Sequence, residues 1–236
     1  MSCKVLIVED DPITRAVLER VLFTAGVEVF AVEKGDLALA LLSTQPVDLI
    51  LLDIKLEGID GWETASRIRK GEVGEHNARV PIIALTGYEE PEAYAQCQQM
   101  GLNGCLAKPF EPEELRQLVL DLCKGQPDMQ SPGTQTYNLK EGSPLPSTDS
   151  LKEGPELYVA GLLRKYEGDR DMVGLLIETF RQDAPRKVKA MEASLQNQNW
   201  QELERVAHSL KGACGVLDWR SLQEIAYRLE LCSKNR

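Results

Sequence analysis

Five side chains in the first half of the sequence close four short apolar runs: Glu9 and Asp10 follow "KVLIV", Asp53 follows "LILL", Thr86 follows "IIAL" and Lys108 follows "GCLA". Three carboxylates, a hydroxyl and an ammonium are the groups that phosphoryl transfer needs. Brought together, the acids would repel one another and raise each other's pKa unless a cation sat among them. An all-oxygen donor set calls for a hard divalent ion, Mg²⁺ or Mn²⁺. With the incoming oxygens neutralised, Asp53 can attack a phosphorus atom in line while Thr86 and Lys108 contact the phosphoryl group. Each acid alone reads as readily as a cap on the next helix. The set of five, spread over four run ends, favours the joint reading.

A second constellation lies in "ERVAHSLKGACGVL", residues 204–217. Leu203, Val206, Ala207, Leu210, Ala213, Cys214 and Leu217 fall on one helical face, and His208 lies off that stripe beside Glu204, Ser209, Lys211 and Gly212. The pattern predicts an outward-facing imidazole. Lys211, one turn on, penalises the imidazolium and favours the neutral, nucleophilic ring, and it can balance phosphoryl charge afterwards. Gly212 stands at i+4, where its missing side chain gives access to an approaching surface. That access costs about 1 kcal/mol relative to alanine. Gly215 points elsewhere and reads as a close-packing residue. The other histidine, His76, sits in the polar stretch "GEVGEHNARV" and reads as solvated surface.

The elements that must position these groups alternate from Lys4 to Lys124. The strand-like runs "KVLIVE", "VEVFAV", "DLILLD", "PIIALT" and "GCLAKP" are followed by helical patterns from Pro12, Asp36, Gly61, Pro91 and Pro112. Five βα units of this kind predict an α/β fold, an open five-stranded doubly wound parallel sheet with ligands beyond the carboxyl ends of its strands. Asp11 reads as an N-cap, with Pro12 at the first helical position. Residues 125–150 turn rich in Pro, Gly, Ser and Thr, the composition of a flexible linker. From Leu157 the period is helical throughout, over roughly 157–166, 170–197 with a break or kink at Pro185, 200–217 and 219–233. The expected domains are therefore a sheet domain at 1–124, a linker at 125–150 and a separate all-α bundle at 151–236.

Charge and composition narrow the partners. The net charge of −10 divides into −9 over residues 1–124, −2 over 125–150 and +1 over 151–236. Nucleic acid is disfavoured, since a phosphate backbone needs a basic face. No segment approaches 18 apolar residues, so neither a membrane span nor a signal peptide is expected. The six cysteines show no CxxC or Cys/His pairing and read as reduced, mostly buried small hydrophobes, which fits a cytoplasmic protein.

On "LIVEDD", "LILLDIKLEGIDGWE", "IIALTG" and "GCLAKPFEPEEL", residues 3–124 resemble the receiver domain of two-component response regulators (flavodoxin-like). The resemblance implies Asp53 as phospho-acceptor, Glu9 and Asp10 as metal-site acids, the Lys55 backbone carbonyl as a further ligand, and a cis peptide before Pro109. Glu57 replaces the family's usual loop proline. Cys105 stands where many members carry an aromatic switch residue; a relay has less need of that switch, and a plain strand filler explains Cys105 equally. Residues 157–233, with "AHSLKGA" and "LQEIAYRLE", resemble the histidine-containing phosphotransfer (HPt) domain, which makes His208 the phosphorylated residue. Asp218 takes a position that is commonly glycine. The family usually has one more helix after 219–233, which is missing here. Helix 157–166, another chain, or self-association through the bundle would have to cover the apolar faces, unless the polypeptide is shortened.

No Walker-type loop or kinase lid is present, so the chain is expected to be a phosphotransfer module and not a kinase. The resemblance implies a phosphorelay intermediate. A sensor or hybrid histidine kinase supplies Asp53, and His208 exchanges phosphoryl groups with receiver aspartates, including that of a downstream receiver protein. The competing reading is a scaffold or phosphate sink that sequesters a partner receiver without turnover. An aspartate-nucleophile phosphatase would need an acid two residues after Asp53, where Lys55 stands.

Overall fold

The computed structural model describes residues 3–87, 96–124 and 155–236, and these fall into two compact units, one built on a sheet and one on the C-terminal helices. In the first, strands β1 (Lys4–Val8), β2 (Glu28–Val32), β3 (Leu49–Asp53), β4 (Ile82–Gly87) and β5 (Gly104–Lys108) pair in parallel in the order β2-β1-β3-β4-β5. The connections are α1 (Pro12–Thr24), α2 (Gly35–Leu42), α3 (Gly61–Arg69) and the single turn α4 (Glu75–Ala78), and α5 (Pro112–Cys123) follows β5. β3 is buried at every position and β1 at four of five, as both-face burial of Val/Ile/Leu runs requires, whereas edge strand β2 is half-exposed. From β1 the chain steps outward to β2, then crosses to β3 on the other side. That reversal opens a crevice at the carboxyl ends of β1 and β3.

The core under this crevice holds Leu6, Val8, Leu42, Ile50, Leu52, Ile68 and Ile82, and sealing each is worth about 1.5–3 kcal/mol. Arg69, at the end of α3, donates to the carbonyls of Ala78, Val80 and Gly101 and to Asn103 Oδ1, which also accepts from Ile82 N–H. This fork fastens the amino ends of β4 and β5. The polar stretch around His76 includes the helical turn α4. His76 is exposed as expected, with Nε2 3.2 Å from the Val47 carbonyl. The helix expected from Pro91 starts outside the described residues, and residues 96–99 are helical. The linker expected at 125–150 also lies outside them.

The cysteine reading needs correction. Cys3 and Cys123 form a disulfide, with Cα atoms 5.8 Å apart. The pairing follows from topology, because α5 runs back against the strand direction and ends beside the start of β1. Cys97, Cys105 and Cys214 are buried thiols, and Cys232 is an exposed one.

The second unit comprises α6 (Pro155–Lys165), α7 (Arg170–Gln196), α8 (Trp200–Val216) and α9 (Arg220–Lys234), with no strand among its described residues. Asp169 caps α7 by accepting from Met172 N–H, and Asn199 caps α8 by accepting from Glu202 N–H. α7 runs on through Pro185 as one helix, with no break there, anchored on either side by buried Leu176 and Met191. Leu203, Val206, Ala207, Leu210 and Cys214 of α8 pack with Met191 and Ala226, joined by half-buried Phe180, Leu222 and Leu229. α6 finishes α8: Lys165 Nζ, Tyr166 Oη and Tyr158 Oη donate to the carbonyls of Gly215, Val216 and Leu217. These are groups a helix end leaves without intrahelical partners. Val188 and Leu195 of α7 and Ile225 and Leu231 of α9 stay exposed, so α6 does not cover the apolar faces along the bundle.

Candidate functional site

The sheet places the predicted set at one end. Glu9, Asp10 and Asp53 each bring a carboxylate oxygen within 4.8 Å of the others. Glu9 and Asp53 are almost fully buried and Asp10 is half-buried. Lys108, 8% exposed at the end of β5, reaches across the sheet: its Nζ lies 2.6 Å from Glu9 Oε2 and 2.8 Å from Asp53 Oδ2. Burial works against this ammonium, but the attraction of Asp53 and then Glu9 outweighs it and holds the lysine above its ordinary pKa. Thr86, also buried, sits one residue beyond the Asp53–Leu85 pairing, where the ladder turns to β5.

The turn after β3 is built to hold Asp53 still. Lys55 N–H donates to Asp53 Oδ1 at 3.2 Å, and Gly61 N–H donates to the Ile54 carbonyl. A Cβ on Gly61 would come 2.3 Å from the Asp53 carbonyl oxygen, so only glycine lets α3 start this close to β3. Asp60 caps α3 by accepting from Glu63 N–H. A Lys34–Glu57 ion pair at 3.1 Å ties the loops after β2 and β3 in solvent. Asp11 caps α1 as expected, its Oδ1 accepting from Ile13 and Thr14 N–H. The peptide before Pro109 is cis.

In the helical unit His208 has a partner on α9 that the sequence reading did not give it. Its Nδ1 lies 2.6 Å from Glu230 Oε1 on α9, and the other carboxylate oxygen of Glu230 meets Lys211 Nζ at 2.7 Å. The carboxylate thus stands between ring and ammonium, where the sequence reading had Lys211 acting on the ring directly. Burial pushes the Glu230 carboxyl up, but the hydrogen bond and charge of His208, with Lys211 behind them, hold it well below the usual range. Lys211 Nζ also lies 5.6 Å from the centre of the Tyr227 ring. Gly212 is half-buried and Gly215 buried. Sequence reasoning missed Glu230, although its position on the inner stripe of an amphipathic helix, where a carboxylate needs a partner, was a usable signal.

Residues 5–120 match the response regulator receiver domain family, and residues 175–236 match the Hpt domain family. The chain is a receiver domain followed by an Hpt domain. Sensor histidine kinase GacS of Pseudomonas protegens is 32% identical over 222 residues, covering 92% of this chain and 23% of that protein. Virulence sensor protein BvgS of Bordetella pertussis is 26% identical over 233 residues, 98% of this chain and 18% of that one. The chain therefore spans less than a quarter of the length of these two relatives. The receiver also resembles the solved receiver domain of a sensor histidine kinase from Pseudomonas aeruginosa PAO1, which has a magnesium ion in its active site cleft; the identity is 37%, the TM-score 0.48, and the match covers 53% of this chain and 99% of that one. Among the described residues no helix is long and apolar enough to cross a membrane.

Proposed function

We propose that this chain is a phosphorelay segment in which Asp53 of the receiver and His208 of the Hpt domain are the two phosphoryl-carrying residues. The observation that carries the reading is the pairing, in one chain, of an acid pocket spanned by Lys108 with a histidine whose Nδ1 is held by Glu230. Three carboxylates facing one ammonium leave an excess of negative charge on oxygen donors, a composition suited to a divalent cation. Asp10, Asp53 and the Lys55 carbonyl would hold Mg²⁺ or Mn²⁺, with Glu9 beside them, and the ion supplies neutralisation of the phosphoryl oxygens.

The protein's own groups do the rest. Lys55 N–H fixes one Asp53 oxygen, leaving the other to form a bond to phosphorus as the donor's N–P bond breaks and its ring nitrogen recovers the electron pair. Lys108 and Thr86 take the phosphoryl oxygens. In the Hpt domain, Glu230 accepting from Nδ1–H makes Nε2 the nitrogen with the lone pair, and so the attacking atom. Lys211 balances the charge that arrives. Donation comes from a sensor or hybrid histidine kinase and onward transfer goes to a receiver aspartate, in the cytoplasm, with neither nucleic acid nor membrane as partner. We place the receiver at 1–124, a linker at 125–150 and the Hpt domain at 151–236, so limited proteolysis is expected to cut first between 125 and 150.

A phosphotransfer assay tests the assignment. A small acyl phosphodonor in Mg²⁺ is expected to label wild type and His208→Gln but not Asp53→Asn, and label surviving in Asp53→Asn rejects residue 53. A phosphorylated partner receiver is expected to leave acid-labile phosphate on wild type and none on His208→Gln. The competing reading is a domain that sequesters a partner receiver without turnover. Acid-labile phosphate on residue 208 dismisses it.

A further inference from the structure

We infer that Cys3 and Cys123 form a reversible redox clasp on the receiver, opened by a dithiol reductant of the thioredoxin class. The bond joins the residue just ahead of β1 to the last residue of α5, across a sequence separation of 120. It closes nearly the whole receiver into one covalent loop, the case in which a cross-link restricts the unfolded chain most. Both residues are half-buried, and exchange at a disulfide depends on access to it. The other cysteines of the receiver differ. Cys97 and Cys105 share a buried cluster with Ile54 and Ala84 and stay thiols.

The clasp has a defined mechanical effect. α5 packs over β3 through buried Leu115, Leu118 and Val119, so its middle is held by the core. Its last turn is held by the disulfide, and the chain leaves the receiver at Lys124, the next residue. Closed, the clasp fixes that exit to the amino end of β1; open, the exit frays as helix ends do. The argument for reversibility rests on the cytoplasmic placement proposed above, where disulfides are as a rule transient and redox-sensing. In the opening step the dithiol's thiolate attacks one sulfur of the Cys3–Cys123 bond, giving a mixed disulfide. The second thiol then displaces the remaining cysteine, so two electrons and two protons pass to Cys3 and Cys123 and the reductant leaves as its disulfide.

The test uses the full chain. After oxidation with glutathione disulfide, N-ethylmaleimide is expected to modify Cys232 while mass spectrometry recovers the Cys3 and Cys123 peptides cross-linked. Thioredoxin with its reductase is expected to render both alkylatable, to lower the receiver's melting temperature by about 10 °C and to speed amide exchange over the last turn of α5 by about tenfold. The double variant Cys3→Ser/Cys123→Ser is expected to match reduced wild type and ignore reductant. Free alkylation of Cys3 and Cys123 after oxidation, no opening by thioredoxin, or reduction without change in melting and exchange each overturns the clasp. Asp53 lies at the opposite end of the strands, so its labelling is expected to stay within about twofold in both redox states. Loss of labelling in both states counts against the phosphotransfer reading alone.

Discussion

On the proposed reading the two sites solve one problem, holding a nucleophile next to charge, by different means. In the receiver the groups come from positions as far apart as 9 and 108, and the backbone ladder places them, each at the end of a strand whose register is fixed by pairing. In the Hpt domain His208 and Lys211 are one turn apart on a single helix, and only Glu230 comes from elsewhere. A ladder tolerates loss of one side chain in geometry but not in charge, because three acids share one ammonium. A helix seam keeps its charges balanced in small pairs but relies on one carboxylate for orientation.

Lys108→Met breaks the comparison most forcefully. Removing one partner of a buried ion pair costs about 3–5 kcal/mol, and here it strands Glu9 and Asp53 together. Urea denaturation of the receiver is expected to show a loss of that order, and millimolar Mg²⁺ is expected to return part of it by replacing the missing positive charge. An equal loss with and without Mg²⁺ means that the acids do not share a cation.

Glu230 is the Hpt counterpart. A hydrogen bond to a charged group is worth about 1.5–3 kcal/mol. Glu230→Ala is therefore expected to slow transfer to His208 about tenfold to a hundredfold, read as the rate of acid-labile label. Glu230→Gln keeps an acceptor for Nδ1–H and is expected to lose less. Stability carries a pH signature as well. The Glu230 pKa lies below its ordinary 4.5 in the folded chain, so the unfolded state binds the proton first as pH falls. Its contribution is complete above about pH 4.5 and is lost as pH drops from there toward the depressed value. Urea midpoints at pH 7 and pH 3 are expected to differ less in Glu230→Gln than in wild type.

Gly61→Ala probes the ladder from its backbone. The added methyl meets the Asp53 carbonyl, and overpacking of this kind costs about 1–3 kcal/mol. The expected outcome is a destabilised receiver with slowed Asp53 labelling, whereas alanine at Gly58, where a Cβ would meet nothing within 4 Å, is expected to disturb labelling far less despite its positive φ.

How much of this was legible in the sequence follows the same division. Strand ends were readable because a buried parallel strand must be a continuous apolar run, so the first polar residue after it marks the carboxyl edge. Asp53, Thr86 and Lys108 were placed that way, whereas the order of the strands in the sheet was not, since it depends on which side each crossover takes. The Hpt seam was less readable. The stripe of α8 located His208, but which way the ring turns depends on a carboxylate 22 residues later on another helix, and periodicity says nothing about such pairs. Gly61 was visible only as a helix start, and the Cys3–Cys123 bond not at all, since both rest on distances between elements.

Asp218 gives the finest test. It ends α8 in the left-handed region at φ 53°, with its own N–H donating to the Gly215 carbonyl and that of Trp219 to the Cys214 carbonyl, the paired bonds of a Schellman end. Glu167 and Gln198 take the same left-handed conformation after α6 and α7, so three helix ends of the Hpt domain use residues with a Cβ where glycine is cheapest. The left-handed penalty is about 1–2 kcal/mol for an ordinary residue and smaller for Asp, whose short polar side chain bonds locally. Here that side chain pairs with Arg220 at 3.1 Å, in solvent, where an ion pair is worth little. Asp218→Gly is therefore expected to raise Hpt stability by up to about 1 kcal/mol in urea titration while leaving His208 labelling unchanged. A loss of stability would mean that the Arg220 pair, and not the backbone, governs how the histidine helix ends.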